Sequence, residues 1–120
     1  MAWEFNRTTP VFMQIAGRLR SEILGGKYEA NTQIPSVRQL AFEASVNPNT
    51  MQKALTKLEE DGLLYTRGTV GRFVTSDQAV LQRARELSKR EILHDLLEQT
   101  KALGITGEEL IRYIREEETR

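Results

Sequence analysis

Cysteine is absent from the 120 residues, and histidine occurs once, at His94. Without cysteine there are no disulfides, thiolate metal sites or thiol nucleophile, and the composition suits a reducing cytoplasm. A single imidazole excludes a zinc site built from several histidines. No apolar run approaches the roughly 18 residues of a membrane span, and MAWEFNRTTP at the N-terminus holds no apolar signal core. An excess of one charge is missing too, since 17 Lys/Arg meet 17 Asp/Glu. Alone, that balance argues weakly against nucleic acid. The charge is unevenly placed, however. Residues 1–76 hold nine basic and seven acidic side chains, a surplus of two, and residues 77–120 hold eight and ten, a deficit of two. Nucleic-acid binding depends on a local basic face rather than on the total.

The few prolines and glycines punctuate the chain into five helices and one hairpin. Thr9-Pro10 reads as a capping hydroxyl before a first-turn proline, and Val11, Ile15, Leu19 and Ile23 follow as one apolar stripe, widened by Phe12 and Ala16. Gly25-Gly26 ends that helix. Ser36 and Gln39 fit a capping box that opens a second, short helix with Val37, Leu40, Ala41 and Ala44 inward. Asn47-Pro48 opens a third, with Met51, Ala54, Leu55 and Leu58 inward and Gly62 as its stop. Leu63–Thr66 and Arg72–Thr75 read as strands joined by Arg67-Gly68-Thr69-Val70-Gly71. From Asp77 to Leu103 the chain is helical without proline or glycine, and Thr106 with Glu109 forms a second capping box before a last short helix that frays from Glu116.

Only Ser45, Val46 and Asn47 separate the second and third helices. So short a link sets two helices at a steep angle, as a helix-turn-helix requires. With the hairpin behind it, this order is that of a winged helix-turn-helix, whose third helix enters a major groove. The outward face of that helix carries Asn49, Gln52, Lys53, Thr56 and Lys57, and no carboxylate until Glu59 and Glu60 at its far end. Asn and Gln can bond adenine in two places, Lys reaches guanine or phosphate, and Thr methyls touch thymine. Arg67 and Arg72 flank the hairpin turn as phosphate or minor-groove contacts. Gly68 and Gly71 serve either the turn or a close approach to DNA. Trp3 and Phe5 are expected to cover apolar surface, and Tyr113 to lie at a helix interface.

The segments Gln33-Ile34-Pro35-Ser36-Val37-Arg38-Gln39-Leu40-Ala41, Val46-Asn47-Pro48-Asn49-Thr50-Met51-Gln52-Lys53-Ala54-Leu55, Leu58-Glu59-Glu60-Asp61-Gly62-Leu63-Leu64 and Gly71-Arg72-Phe73-Val74 occur in order. Together they resemble the DNA-binding domain of GntR-type bacterial transcription regulators over roughly residues 9–75. The short remainder resembles the YtrA-type subfamily, whose members lack a large effector domain. The resemblance implies that Ser36 and Arg38, in the Pro-Ser-x-Arg motif, meet DNA beside the second helix. It likewise implies that Asn49, Thr50 and Lys53 are reading-helix positions, and that the wing Arg67–Arg72, with Gly68, Thr69 and Gly71, lies near the minor groove. Pro48 stands where many members have arginine, so no arginine contact is carried over there. Two residues separate the wing glycines where many members have one.

The fold class expected is mainly α with a small β-hairpin wing: residues 1–76 a winged helix-turn-helix domain, residues 77–120 a two-helix dimerisation arm. The arm holds more apolar residues than one stripe needs. Leu81, Ala84, Leu87, Ile92, Leu93, Leu96 and Leu97 on its long helix, with Leu110, Ile111 and Ile114 on the last, are assigned to packing on a second copy. Twofold homodimers are the commonest assembly and match palindromic half-sites. The expected function is a cytoplasmic, dimeric, sequence-specific repressor on double-stranded operator DNA, with no cofactor or metal and no membrane partner. A small-molecule effector between the C-terminal helices is open, and no motif names it. The alternative is a winged-helix module that binds protein without reading DNA. An enzyme is not expected: His94 sits among Arg90, Glu91, Asp95 and Glu98, an ordinary charged surface mixture.

Overall fold

A computed structural model describes residues 3–120 of the chain. Its elements are α1 (Val11–Leu24), α2 (Val37–Ala44), α3 (Pro48–Glu60), β1 (Leu64–Arg67), β2 (Gly71–Val74), α4 (Gln78–Ala102) and α5 (Gly107–Glu118). They form a winged helix-turn-helix followed by two further helices. The chain divides into two compact units, one ending at Arg83 and the other beginning at Ala84, inside α4.

In the first unit α1, α2 and β1 all pack on α3. Ile15, Leu19, Leu40, Met51, Leu55 and Leu58 are fully buried there, together with Leu63 and Val74 from the hairpin region. Each such side chain contributes about 1.5–3 kcal/mol on leaving water. That burial holds α2, whose eight residues are too few for an isolated helix. The Ser36–Gln39 capping box forms in both directions, at 3.2 and 3.0 Å. Asn47 caps α3 by accepting from the backbone N–H of Asn49 at 2.7 Å, with Pro48 in the first turn. Gly62, at φ 81°, stops α3. Trp3 is buried beneath the Arg18 guanidinium, 4.1 Å from its ring centroid.

Two local expectations are corrected. Thr9 does not cap α1: Pro10 holds that position without a side-chain cap, and Gln14 instead reaches back, donating to the carbonyls of Thr9 and Asn6 at 2.8 and 3.0 Å. The hairpin lies one residue nearer its turn, because Arg67 pairs with Gly71 and the Val70 N–H closes on the Arg67 carbonyl at 2.9 Å. It also gains an extra edge. The Val74 N–H donates to Thr32 and the Ile34 N–H to Arg72, at 2.9 and 3.0 Å, so residues 32–34 run along β2. Asn31-Thr32-Gln33-Ile34-Pro35 has no apolar alternation to announce this.

Asp77 caps α4, accepting from the N–H groups of Ala79 and Val80 at 3.0 and 3.3 Å. Leu81, assigned above to a partner chain, is 6% exposed within the first unit. The first turn of α4 closes the core of its own chain, so Leu81 is withdrawn from the dimerisation set. In the second unit the Thr106–Glu109 capping box opens α5. That helix continues to Glu118, beyond the expected fraying at Glu116, and Arg120 pairs with Glu117 at 3.2 Å past its end. From Ala84 onward no hydrophobic side chain is buried; only Thr100 is. Among the described residues no helix is long and apolar enough to cross a membrane.

Candidate nucleic-acid interface

Three stretches separate in sequence meet on one surface of the first unit. The start of α2 and the tip of the wing line a groove of about 330 Å³, formed by Gln33–Arg38 on one side and Thr69–Arg72 on the other. Ser36 and Arg38 thereby stand opposite Thr69, Gly71 and Arg72. The base of the wing in turn meets α3, where Arg72 Nη1 donates to Gln52 Oε1 at 3.4 Å.

Along α3, Asn49, Gln52 and Lys53 are exposed, while Thr50 and Lys57 are half-buried. The cations in this region differ in how far they are already engaged. Arg38 is exposed and has no side-chain partner among the described residues. Lys53 Nζ lies 4.3 Å from the Phe12 ring centroid, and Arg67 lies 4.8 Å from that of Phe73. Lys57 pairs with Asp61 at 3.3 Å, and Arg20 bonds the other oxygen of that carboxylate at 2.8 Å. Arg72 differs most from expectation. Its Nε donates to Glu59 Oε1, and its side chain is only 15% exposed. It is an arginine bound to its own chain, not a free cation flanking a turn.

The wing glycines have a conformational reason. Gly68 and Gly71 have φ of 47° and 138°, a region that side chains other than glycine's rarely adopt. A Cβ on Gly71 would also stand 2.6 Å from Gln33 Nε2. That amide donates to the Val70 carbonyl at 2.8 Å and so props the wing against the segment before α2. The roles of Gln33 and Glu59 were not foreseen. Glu59 had a visible signal: it follows Gln52 by seven residues, two helical turns, and so shares its face. Gln33 had none.

Comparison with known proteins agrees with this geometry. The profile of the bacterial regulatory proteins of the gntR family matches residues 13–74. The chain belongs to the GntR family. It is a DNA-binding transcription regulator, and its family and relatives are regulators rather than enzymes. It is 29% identical to the HTH-type transcriptional repressor YtrA of Bacillus subtilis over 91% of this chain and 85% of that protein. Among solved structures, a GntR family transcriptional regulator from Listeria monocytogenes superposes with a TM-score of 0.84 at 30% identity, covering 93% of this chain and 98% of that one. AraR(DBD) in complex with operator ORX1 superposes with a TM-score of 0.57 at 28% identity, covering 62% of this chain and 99% of that one.

Proposed function

We propose that this regulator is a cytoplasmic repressor that binds a twofold-symmetric operator as a homodimer. In this reading the winged unit, residues 1–76, supplies the DNA contacts, and the helices from residue 77 supply the dimer contacts from Ala84 on. The observation that carries the DNA face is the meeting of the α2 start, the outward side of α3 and the wing on one surface. Asn49, Gln52 and Lys53 lie toward base edges, with Thr50 and Lys57 beside them. Arg38 and the α2 N-terminus, where Ser36 caps, take phosphate, and Gly68, Thr69 and Arg67 follow the adjacent minor groove.

The dimer face rests on exposure. Leu87, Ile92, Leu93, Leu96, Ile111 and Ile114 are between 37% and 70% exposed, with Ala84, Leu97 and Leu110 half-buried beside them. Apolar surface this extensive on a small helical unit marks an interaction site. A second copy offers the same side chains in return, which a twofold interface requires. Repression is supported by the likeness to YtrA, which carries that role in its name and aligns across both units of the chain.

The test is selection of bound duplexes from a random pool by the full chain, followed by binding isotherms across a salt series. The expected product is a palindrome with half-sites about one helical turn or a multiple apart. Affinity should fall by one decade or more between about 50 and 200 mM salt. Enrichment of single, unpaired half-sites by the full chain would overturn the dimeric reading, and no enrichment at all would overturn sequence-specific binding.

A further inference from the structure

The wing and the reading helix are joined by a chain of side chains whose order has a chemical consequence. Thr66 and Arg72 stand opposite each other in the hairpin ladder, and both bond Glu59 of α3. Thr66 Oγ1 donates to Oε2 at 3.0 Å, and Arg72 Nε donates to Oε1. Both oxygens of the carboxylate are therefore used, and Glu59 holds the Arg72 side chain against α3. From there Arg72 Nη1 donates to Gln52 Oε1 at 3.4 Å. Gln52 is exposed on the outward face of α3. Its amide has an acceptor oxygen with two lone pairs and one two-hydrogen donor group. With the oxygen turned to Arg72 and one lone pair engaged, the NH2 group is the freer one.

We propose that Glu59 is a positioning residue for base recognition: acting through Arg72, it holds the Gln52 carbonyl toward the wing and turns the NH2 group outward. This rests on the reading of α3 as the base-reading helix. A free glutamine bonds adenine at two points, accepting from N6 and donating to N7; with its carbonyl held toward Arg72 that paired contact is disfavoured, and only the donation to N7 stays well placed. Its NH2 suits the acceptor edges of guanine, N7 and O6, or of thymine, O4, and meets the N6 amino group of adenine donor to donor. The network thus favours guanine or thymine over adenine at the base facing Gln52. The same network keeps Arg72 out of the phosphate count, since Glu59 already neutralises it.

The experiment is duplex selection from a random pool by the full chain, in four forms: wild type, Gln52→Ala, Glu59→Ala and Arg72→Met. The base that Gln52 faces is the operator position whose preference disappears in Gln52→Ala. At that position the wild type should favour guanine or thymine over adenine by about tenfold. Glu59→Ala and Arg72→Met both free the Gln52 carbonyl, and each should move that position toward adenine while the rest of the operator is unchanged. Glu59→Ala also releases a cation. It should bind non-specific duplex more tightly and steepen the salt slope by about one unit, whereas Arg72→Met should not. A merely structural role for Glu59 predicts weaker binding and no steeper slope. The proposal is overturned by a wild-type preference for adenine or cytosine at that position, by no position responding to Gln52→Ala, or by Glu59→Ala and Arg72→Met leaving the preference intact. A wild type that enriches no duplex overturns the underlying DNA reading and this proposal with it. A wild type that enriches one, with any of the failures just named, overturns this proposal alone.

Discussion

The two units of the chain treat their apolar residues in opposite ways. Up to Leu81, the leucines, isoleucines and methionine that face inward on α1, α2 and α3 close a core around α3, where Met51 and Leu58 are fully buried. Beyond Ala84, Ile92 is 70% and Leu87 58% exposed, although both lie in well-formed helix. The first unit closes a core within itself; the second buries no hydrophobic side chain. Helix formation and burial are thus separate achievements here. Capping by Asp77 and by the Thr106–Glu109 box is enough to define α4 and α5, while their apolar faces stay uncovered within the chain.

The largest effect should come from separating the two units. A chain ending at Arg83 keeps Leu81 and the whole first core, so it should fold and still bind single half-sites. It should lose most of the gain from linked half-sites, about 10²–10⁴ in affinity for a full palindrome, as read by titration against full and half operators. Next, Leu58→Ala in that shortened chain should lower unfolding free energy by about 2–5 kcal/mol, measured by urea denaturation, since the site is enclosed on every side. Arg38→Ala should weaken operator binding by about 1–3 kcal/mol and leave stability within about 0.5 kcal/mol, because Arg38 has no side-chain partner among the described residues. A wild-type binding isotherm would remove Arg38 from the interface. The smallest effect belongs to Ser36→Ala, which deletes the α2 cap and should cost about 1 kcal/mol of stability, readable as a lowered thermal midpoint of the shortened chain.

The sequence made the helices and their caps legible. Ser36 with Gln39, Asn47-Pro48, Gly62 and Thr106 with Glu109 each define an end through contacts a few residues long, and such contacts can be read locally. The face of α3 was legible for the same reason, because periodicity alone separates Met51 and Leu58 from Gln52 and Lys53. What stayed hidden depends on distant partners. Arg72 and Lys53 read as free cations, but Glu59 and Phe12 engage them only after folding brings the wing to α3 and α1 to α3. Leu81 misled because the helix periodicity does not mark where one unit ends. Residues 32–34 became a strand edge through pairing with β2, with no pattern of their own.

The contrast between a closed first unit and an open second one is tested most directly by mass in solution. Light scattering on the full chain, 13.7 kDa per copy, should give the mass of two copies. The chain ending at Arg83 should give the mass of one, and full-length chain carrying Leu96→Glu and Ile111→Glu should also fall to one copy while keeping its helical circular dichroism. A full-length chain with the mass of a single copy, or a shortened chain that still pairs, would contradict the account.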